Sequence, residues 1–170
     1  MGASKILVVF YSRSGTTRRI AKALSEALKC DIEEITEPEP RTGLLGYIRS
    51  LLEASRKRPS TILPKKHEVS SYDLVVIGTP VWAWSLSSPV RAYLMATASQ
   101  LPKVAFFCTL GGNGSERAFA QMTAIVGKTP RAICAITQRE VLSGSYSDRL
   151  SAFEKALEDH RVSKAQQAVN

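Results

Sequence analysis

Hydrophobic residues fall into short continuous runs separated by helical stripes. Ile6–Phe10 is a largely β-branched apolar run leading into the polar Ser12-Arg13-Ser14-Gly15-Thr16-Thr17. Apolar positions then recur at Ile20, Ala23, Leu24, Ala27 and Leu28, which is helical spacing. Asp31–Ile35 is a weaker strand that ends at the breakers Pro38 and Pro40. Leu44, Leu45, Ile48, Leu51 and Leu52 form a second helical stripe, closed by Pro59. Leu74–Gly78 reads as a strand buried on both faces. Pro89 suits the first turn of the next helix. Val104–Cys108 is a fourth strand, Glu116–Val126 a helix and Ala132–Ile136 a fifth strand. Asp148 is placed to cap a last helix bearing Leu150, Phe153, Ala156 and Leu157. Beyond it, residues 162–170 lose their large apolar side chains and are expected to fray.

Strands alternating with helices imply a parallel sheet covered on both faces, a three-layer α/β/α sandwich. Right-handed crossovers make the doubly wound arrangement the leading topology. The 170 residues suit a single domain spanning 1–170. Hydrophobic content of 44% and charged content of 22% exclude disordered, collagenous and membrane-spanning classes. Cys30, Cys108 and Cys134 are far apart with no C-x-x-C pair, which favours reduced thiols over a disulfide framework or metal site. The sixth residues after them are Thr36, Gly114 and Glu140, so no C-x5-R phosphatase loop exists. Ile6–Phe10 is too short for a signal-peptide core, and a cytoplasmic location is expected.

Charge changes the picture more. The chain carries a net +8, and residues 41–67 hold seven Lys or Arg against the single acid Glu53. The simplest fate of the stripe there is docking on the sheet. Alternatively, Arg49, Arg56, Lys57 and Arg58 beside those leucines fit an acidic partner or an anionic membrane. No nucleic-acid recognition motif accompanies the charge.

Ligands of open α/β sheets bind beyond the carboxyl ends of the strands. After strand one, Ser12–Thr17 offers four hydroxyls and Gly15 at a helix start, where unpaired N–H groups suit a phosphate. An ordinary polar turn with a Ser or Thr cap would read similarly. A dinucleotide loop would need G-x-G-x-x-G, and only Gly15 is present. A phosphorylated receiver would need carboxylates where Tyr11 and Ser12 stand. Gly127-Lys128-Thr129 is a turn, since Met122 stands where a P-loop has glycine and Pro130 follows. After strand three, Gly78–Pro89 contains both tryptophans, Trp82 and Trp84, which suit a planar ligand or plug the sheet edge. After strand four, Leu110-Gly111-Gly112-Asn113-Gly114-Ser115 is rich in accessible backbone.

Together these loops resemble those of the flavodoxin family, whose members bind FMN (flavin mononucleotide) non-covalently. Ser12–Thr17 resembles its S/T-x-S/T-G-x-T phosphate loop, Thr79–Trp84 its second flavin loop and Thr109–Gly114 its third, over residues 5–160. The resemblance implies a five-stranded sheet of order 2-1-3-4-5. It implies that Ser12, Ser14, Gly15, Thr16 and Thr17, with Arg13 in the same loop, hold phosphate. Trp82 or Trp84 would cover a flavin face, with Thr79, Pro80, Val81 and Ala83 at the ring or ribityl chain. Thr109, Leu110, Gly111, Gly112, Asn113 and Gly114 would line the pyrimidine side. Segment 41–67 is similar to an insertion found outside the short electron carriers.

Two departures bear on function. Electron-carrier flavodoxins are typically acidic, and this chain is basic. Many carry a second-loop glycine whose peptide flips as the flavin takes up an electron, and Thr79–Ser88 has none. The expectation is an FMN-dependent redox protein, either a carrier with a protein partner or a reductase acting on NAD(P)H or quinones, with homodimerisation left open. No catalytic side chain or metal site is expected, and His67 and His160 read as solvated.

Overall fold

The computed structural model describes residues 4–39 and 42–167, with side chains to Glu158. Its elements are β1 (Ile6–Phe10), α1 (Thr16–Leu28), β2 (Asp31–Glu34), α2 (Gly43–Ser55), a 3-10 turn (Val69–Ser71), β3 (Leu74–Trp82), β4 (Ser85–Leu86), α3 (Ser88–Thr97), β5 (Lys103–Leu110), α4 (Ser115–Val126), β6 (Ile133–Thr137), α5 (Gln138–Ser143) and α6 (Ser147–Gln167). The sheet order is β2-β1-β3-β5-β6, with every pair on that path parallel and the short β4 antiparallel on β3. With β4 set aside, this is the expected order 2-1-3-4-5 of the doubly wound sandwich.

Alternate residues of the inner strands β1, β3 and β5 feed two separate cores. Leu7, Val9, Ile77 and Phe106 pack with Leu94 of α3 and Met122 of α4. Val8, Phe10, Val76 and Phe107 pack with Leu24 of α1 and Phe153 of α6. Both faces are dry, which is why the strands are continuous apolar runs rather than alternating ones. Burial pushes the Cys108 thiol up to about 12 and that of Cys134 to about 11. Cys30, Cys108 and Cys134 form no disulfide among the described residues. Among the described residues, no helix is long and apolar enough to cross a membrane.

Four elements differ from the sequence pattern. β3 runs on to Trp82 because Thr79 and Pro80 continue the pairing with Cys108 and Thr109, and β4 then folds back on it. α5 is extra, and a capping box starts it: Thr137 N–H donates to Glu140 Oε2 at 2.8 Å, and Glu140 N–H to Thr137 Oγ1 at 3.2 Å. Asp148, expected as a cap, stands in the first turn of α6, which begins at Ser147 and runs to Gln167. The rest of the expected tail, 168–170, and the side chain of His160 lie outside the described residues.

The largest difference is α2. Its leucine stripe does not dock; Gly46, Ser50 and Ala54 face the protein instead. Small side chains let the helix approach closely, and Ser50 Oγ donates to Gly46 O at 2.7 Å within that face. Leu44, Leu45, Ile48 and Leu52 remain outside. Gly127 at φ 69° closes α4, so Gly127-Lys128-Thr129 is a helix stop.

Candidate functional site

β1 and β3 are neighbours although the chain visits β2 between them, which makes this edge the topological switch point. Beyond the carboxyl ends of these strands lies a cleft of about 280 Å³. Arg13, Ser14, Thr16 and Thr17 line it from the first loop; Pro80, Val81, Trp82 and Ala83 from the hairpin; and Thr109, Leu110 and Gly111 from the third loop. Two larger depressions lie elsewhere, about 610 Å³ at the amino ends of β5 and β6 and about 420 Å³ on the outer face of α2.

The first loop gathers hydroxyls and backbone N–H groups at the start of α1. Ser12 is buried and its Oγ accepts from the Gly15 N–H at 3.1 Å, which tightens the turn rather than lining the cleft. Gly15 is the N-cap of α1 at φ 91°, a left-handed conformation that glycine takes without strain. α1 has no side-chain cap and no acid in its first turn, so those N–H groups look for an acceptor. The Ser14 and Thr16 hydroxyls lie 3.3 Å apart beside them. Thr17 Oγ1 and Thr109 Oγ1 share a buried 2.7 Å hydrogen bond that ties the first loop to the third. Arg13, the one charged lining residue among those described, rests over the Tyr47 ring at 5.2 Å. Among the described residues, no carboxylate, histidine or cysteine lines the cleft.

The second wall is a strained hairpin. Ala83 and Trp84 have φ 47° and 56°, which gives a two-residue turn of the primed type without the usual glycine. Thr79 lies inside the hairpin rather than on the cleft; its Oγ1 accepts from the Ser87 N–H at 3.1 Å. Beneath it, buried Arg91 donates through Nη2 to Ser85 Oγ at 3.2 Å and to Gln121 Oε1 at 2.6 Å, joining β4 to α4. Burial lowers the Arg91 pKa. Ala83→Gly is expected to stabilise the protein by about 1 kcal/mol by relieving the left-handed alanine, read as a raised urea midpoint.

The two tryptophans part company. Trp82 lines the cleft but is buried, edge-on to Tyr11 at 5.6 Å and 89°. Trp84 is 60% exposed at the turn and lies outside the lining. Gly114 packs behind it: a Cβ there would stand 2.8 Å from Trp84 Cα, so glycine lets the third loop close on the hairpin. Gly112 and Asn113 are exposed beyond the lining.

The family model described as flavodoxin matches residues 5–149. The chain belongs to the flavodoxin family. Among solved structures, a flavoprotein from Lactobacillus acidophilus NCFM in complex with FMN is similar at 21% identity and TM-score 0.67, covering 88% of this chain and 99% of that one. The Trp repressor binding protein from Bacillus subtilis is similar at 12% identity and TM-score 0.58, covering 89% and 98%. Oxidised flavodoxin 2 from Bacillus cereus is similar at 16% identity and TM-score 0.56, covering 92% and 99%. No curated protein matches the chain.

Within this flavodoxin-family fold, three lining residues lie outside the loops singled out from sequence: Tyr47 and Leu51 of α2, and Gln138 at the start of α5. The row Gly46, Ser50, Ala54 was the available signal for the first two. It marks the docked face, and the helical repeat then puts Tyr47 and Leu51 on one flank. Gln138 follows the carboxyl end of β6, where the strand-end rule applies as well.

Proposed function

We propose that the chain binds FMN in this cleft and works as an FMN-dependent redox protein. The carrying observation is the uncapped N-terminus of α1, flanked by Ser14, Thr16 and Thr17 and opening at the switch point beside the hairpin wall. The phosphate would take the N–H groups and hydroxyls, with Arg13 as the nearby cation. Pro80, Val81 and Ala83 would bear on the flavin, Leu110 and Gly111 on its rim, and Tyr47 would wall the α2 side. Trp82 would offer at most an edge, because Tyr11 already holds it. The FMN-bound relative from Lactobacillus acidophilus supports the reading.

Bound FMN would supply the electron or hydride transfer, while the chain binds and orients it. The finer reading is two-electron exchange with a small molecule of the NAD(P)H or quinone class. It rests on Ala83 and Trp84 occupying the turn where many carriers have glycine, and on a net charge of +8 where carriers are typically acidic.

Titrating the apo protein with FMN tests the first statement. Saturable, stoichiometric quenching of flavin fluorescence is expected, and a protein that stays colourless overturns it. Anaerobic NADH or NADPH followed by a quinone tests the second. Prompt bleaching and recovery of the flavin spectrum is expected, and an inert flavin makes the protein a carrier.

A further inference from the structure

Most of the large apolar side chains of α2 face away from the protein. Leu44 and Leu45 are 74% and 82% exposed, and Ile48 and Leu52 are 43% and 46% exposed. The helix is held by Gly46, Ser50 and Ala54, which reverses the usual order of a leucine face inward and a polar face outward. A contiguous free apolar surface of this kind marks an interaction site.

Its surroundings are mainly basic. Between residues 42 and 67 six Lys or Arg face the single acid Glu53. Leu45, Ile48 and Leu52 share their depression with Arg49, Arg56 and Arg58. Arg49 is engaged by Glu53 at 2.9 Å and by Glu39 at 3.6 Å, and Lys65 by Glu68 at 3.0 Å. Arg56, Lys57 and Arg58 are exposed and enter no ion pair among the described residues.

We propose that this face of α2 docks on an anionic lipid bilayer. The leucines would enter the boundary between headgroups and acyl chains, and the cations would lie over lipid phosphates. A second copy would bring two patches of the same sign together, which opposes self-association. Arg56, Lys57 and Arg58 follow one another at the end of the helix, exposed and without an ion pair among the described residues, a spread that suits diffuse headgroup charge better than one acidic point partner. Since Tyr47 and Leu51 of the same helix line the cleft, docking would bring the α2 side of the cleft beside the membrane. The docking itself does not depend on FMN binding.

The test is sedimentation of the full chain with vesicles of phosphatidylcholine alone or mixed with phosphatidylglycerol. Binding is expected to the anionic vesicles only, weakening as salt rises. Leu45→Ser with Leu52→Ser is expected to lower affinity roughly tenfold or more. Arg56→Gln, Lys57→Gln and Arg58→Gln together are expected to do so by a similar factor. Lys103→Gln with Arg131→Gln, at the amino ends of β5 and β6, is expected to change little. Leu45→Trp should retain binding and blue-shift its emission on the vesicles, which keeps the test decisive if the double serine variant does not fold. Absence of binding to anionic vesicles at low salt overturns the proposal. So does binding indifferent to the leucines, which would reduce it to net charge. Retention by an acidic protein without vesicle binding would assign the face to a protein partner and overturn the lipid reading.

Discussion

Thr16→Asp is expected to weaken FMN binding by about a hundredfold or more while leaving the protein folded and slightly more stable. Thr16 is the first residue of α1, an N-terminus with no side-chain cap and no acid in its first turn. A carboxylate there is attracted by the unsatisfied N–H groups and the helix dipole, worth about 0.3–1 kcal/mol. The same carboxylate would sit where the FMN phosphate is proposed to bind, and like charges brought that close cost several kcal/mol. A hundredfold loss corresponds to about 2.7 kcal/mol, well within that cost. Flavin-fluorescence titration reads the affinity, and a thermal melt of the apo protein reads the fold. Thr16→Ser, which keeps the hydroxyl, should bind nearly as the parent does. If Thr16→Asp binds FMN normally, the phosphate does not sit on this loop. Because the melting temperature is expected to hold or rise, a damaged fold cannot be mistaken for a lost site.

That the first loop could be read from sequence, and α2 could not, has a common physical root. Strands β1, β3 and β5 are dry on both faces, so their apolar runs stand out and the loops at their carboxyl ends can be located by position alone. Hydropathy marks where large apolar side chains fall, but not which face of a helix approaches the protein. In α2 that approach is set by shape: Gly46, Ser50 and Ala54 permit it, and the leucines beside them would hold the helix away. The hairpin was hidden for a different reason. Its turn is Ala83-Trp84, where a primed turn normally advertises itself by Asn-Gly or Asp-Gly, so the segment reads as open loop. The fate of the tryptophans follows from that turn. Alternation along β3 sends Trp82 inward against Tyr11, and the left-handed turn at Ala83-Trp84 leaves Trp84 outward. The Thr137-x-x-Glu140 box at the start of α5 was readable, yet the helix has only six residues and no apolar stripe to draw attention to it.

Gly78→Val is expected to destabilise the fold by about 3 kcal/mol and to carry that damage into the cleft. Gly78 lies in β3 between Phe10 of β1 and Phe107 of β5. A Cβ at Gly78 would stand 2.0 Å from Phe107 Cζ, with Cε1 and Cε2 at 2.4 and 2.6 Å. The ring therefore occupies the space that any side chain at 78 would need. Phe107 is fully buried in the core shared with α1 and α6, so it has no free direction in which to retreat. The better strand propensity of valine returns about 1 kcal/mol at most, too little to offset the clash. Thr79, the next residue, carries the hydroxyl that accepts from the Ser87 N–H, so a displaced β3 also shifts the hairpin wall at Pro80–Ala83. Urea unfolding should show a lowered midpoint, and FMN affinity should fall with it. Shrinking the ring separates packing from every other cause. Gly78→Val combined with Phe107→Leu should be more stable than the sum of the two single changes predicts, by about 0.5–3 kcal/mol of coupling, and should regain FMN affinity. Simple additivity of the two losses would mean that the ring over Gly78 is not what fixes this position.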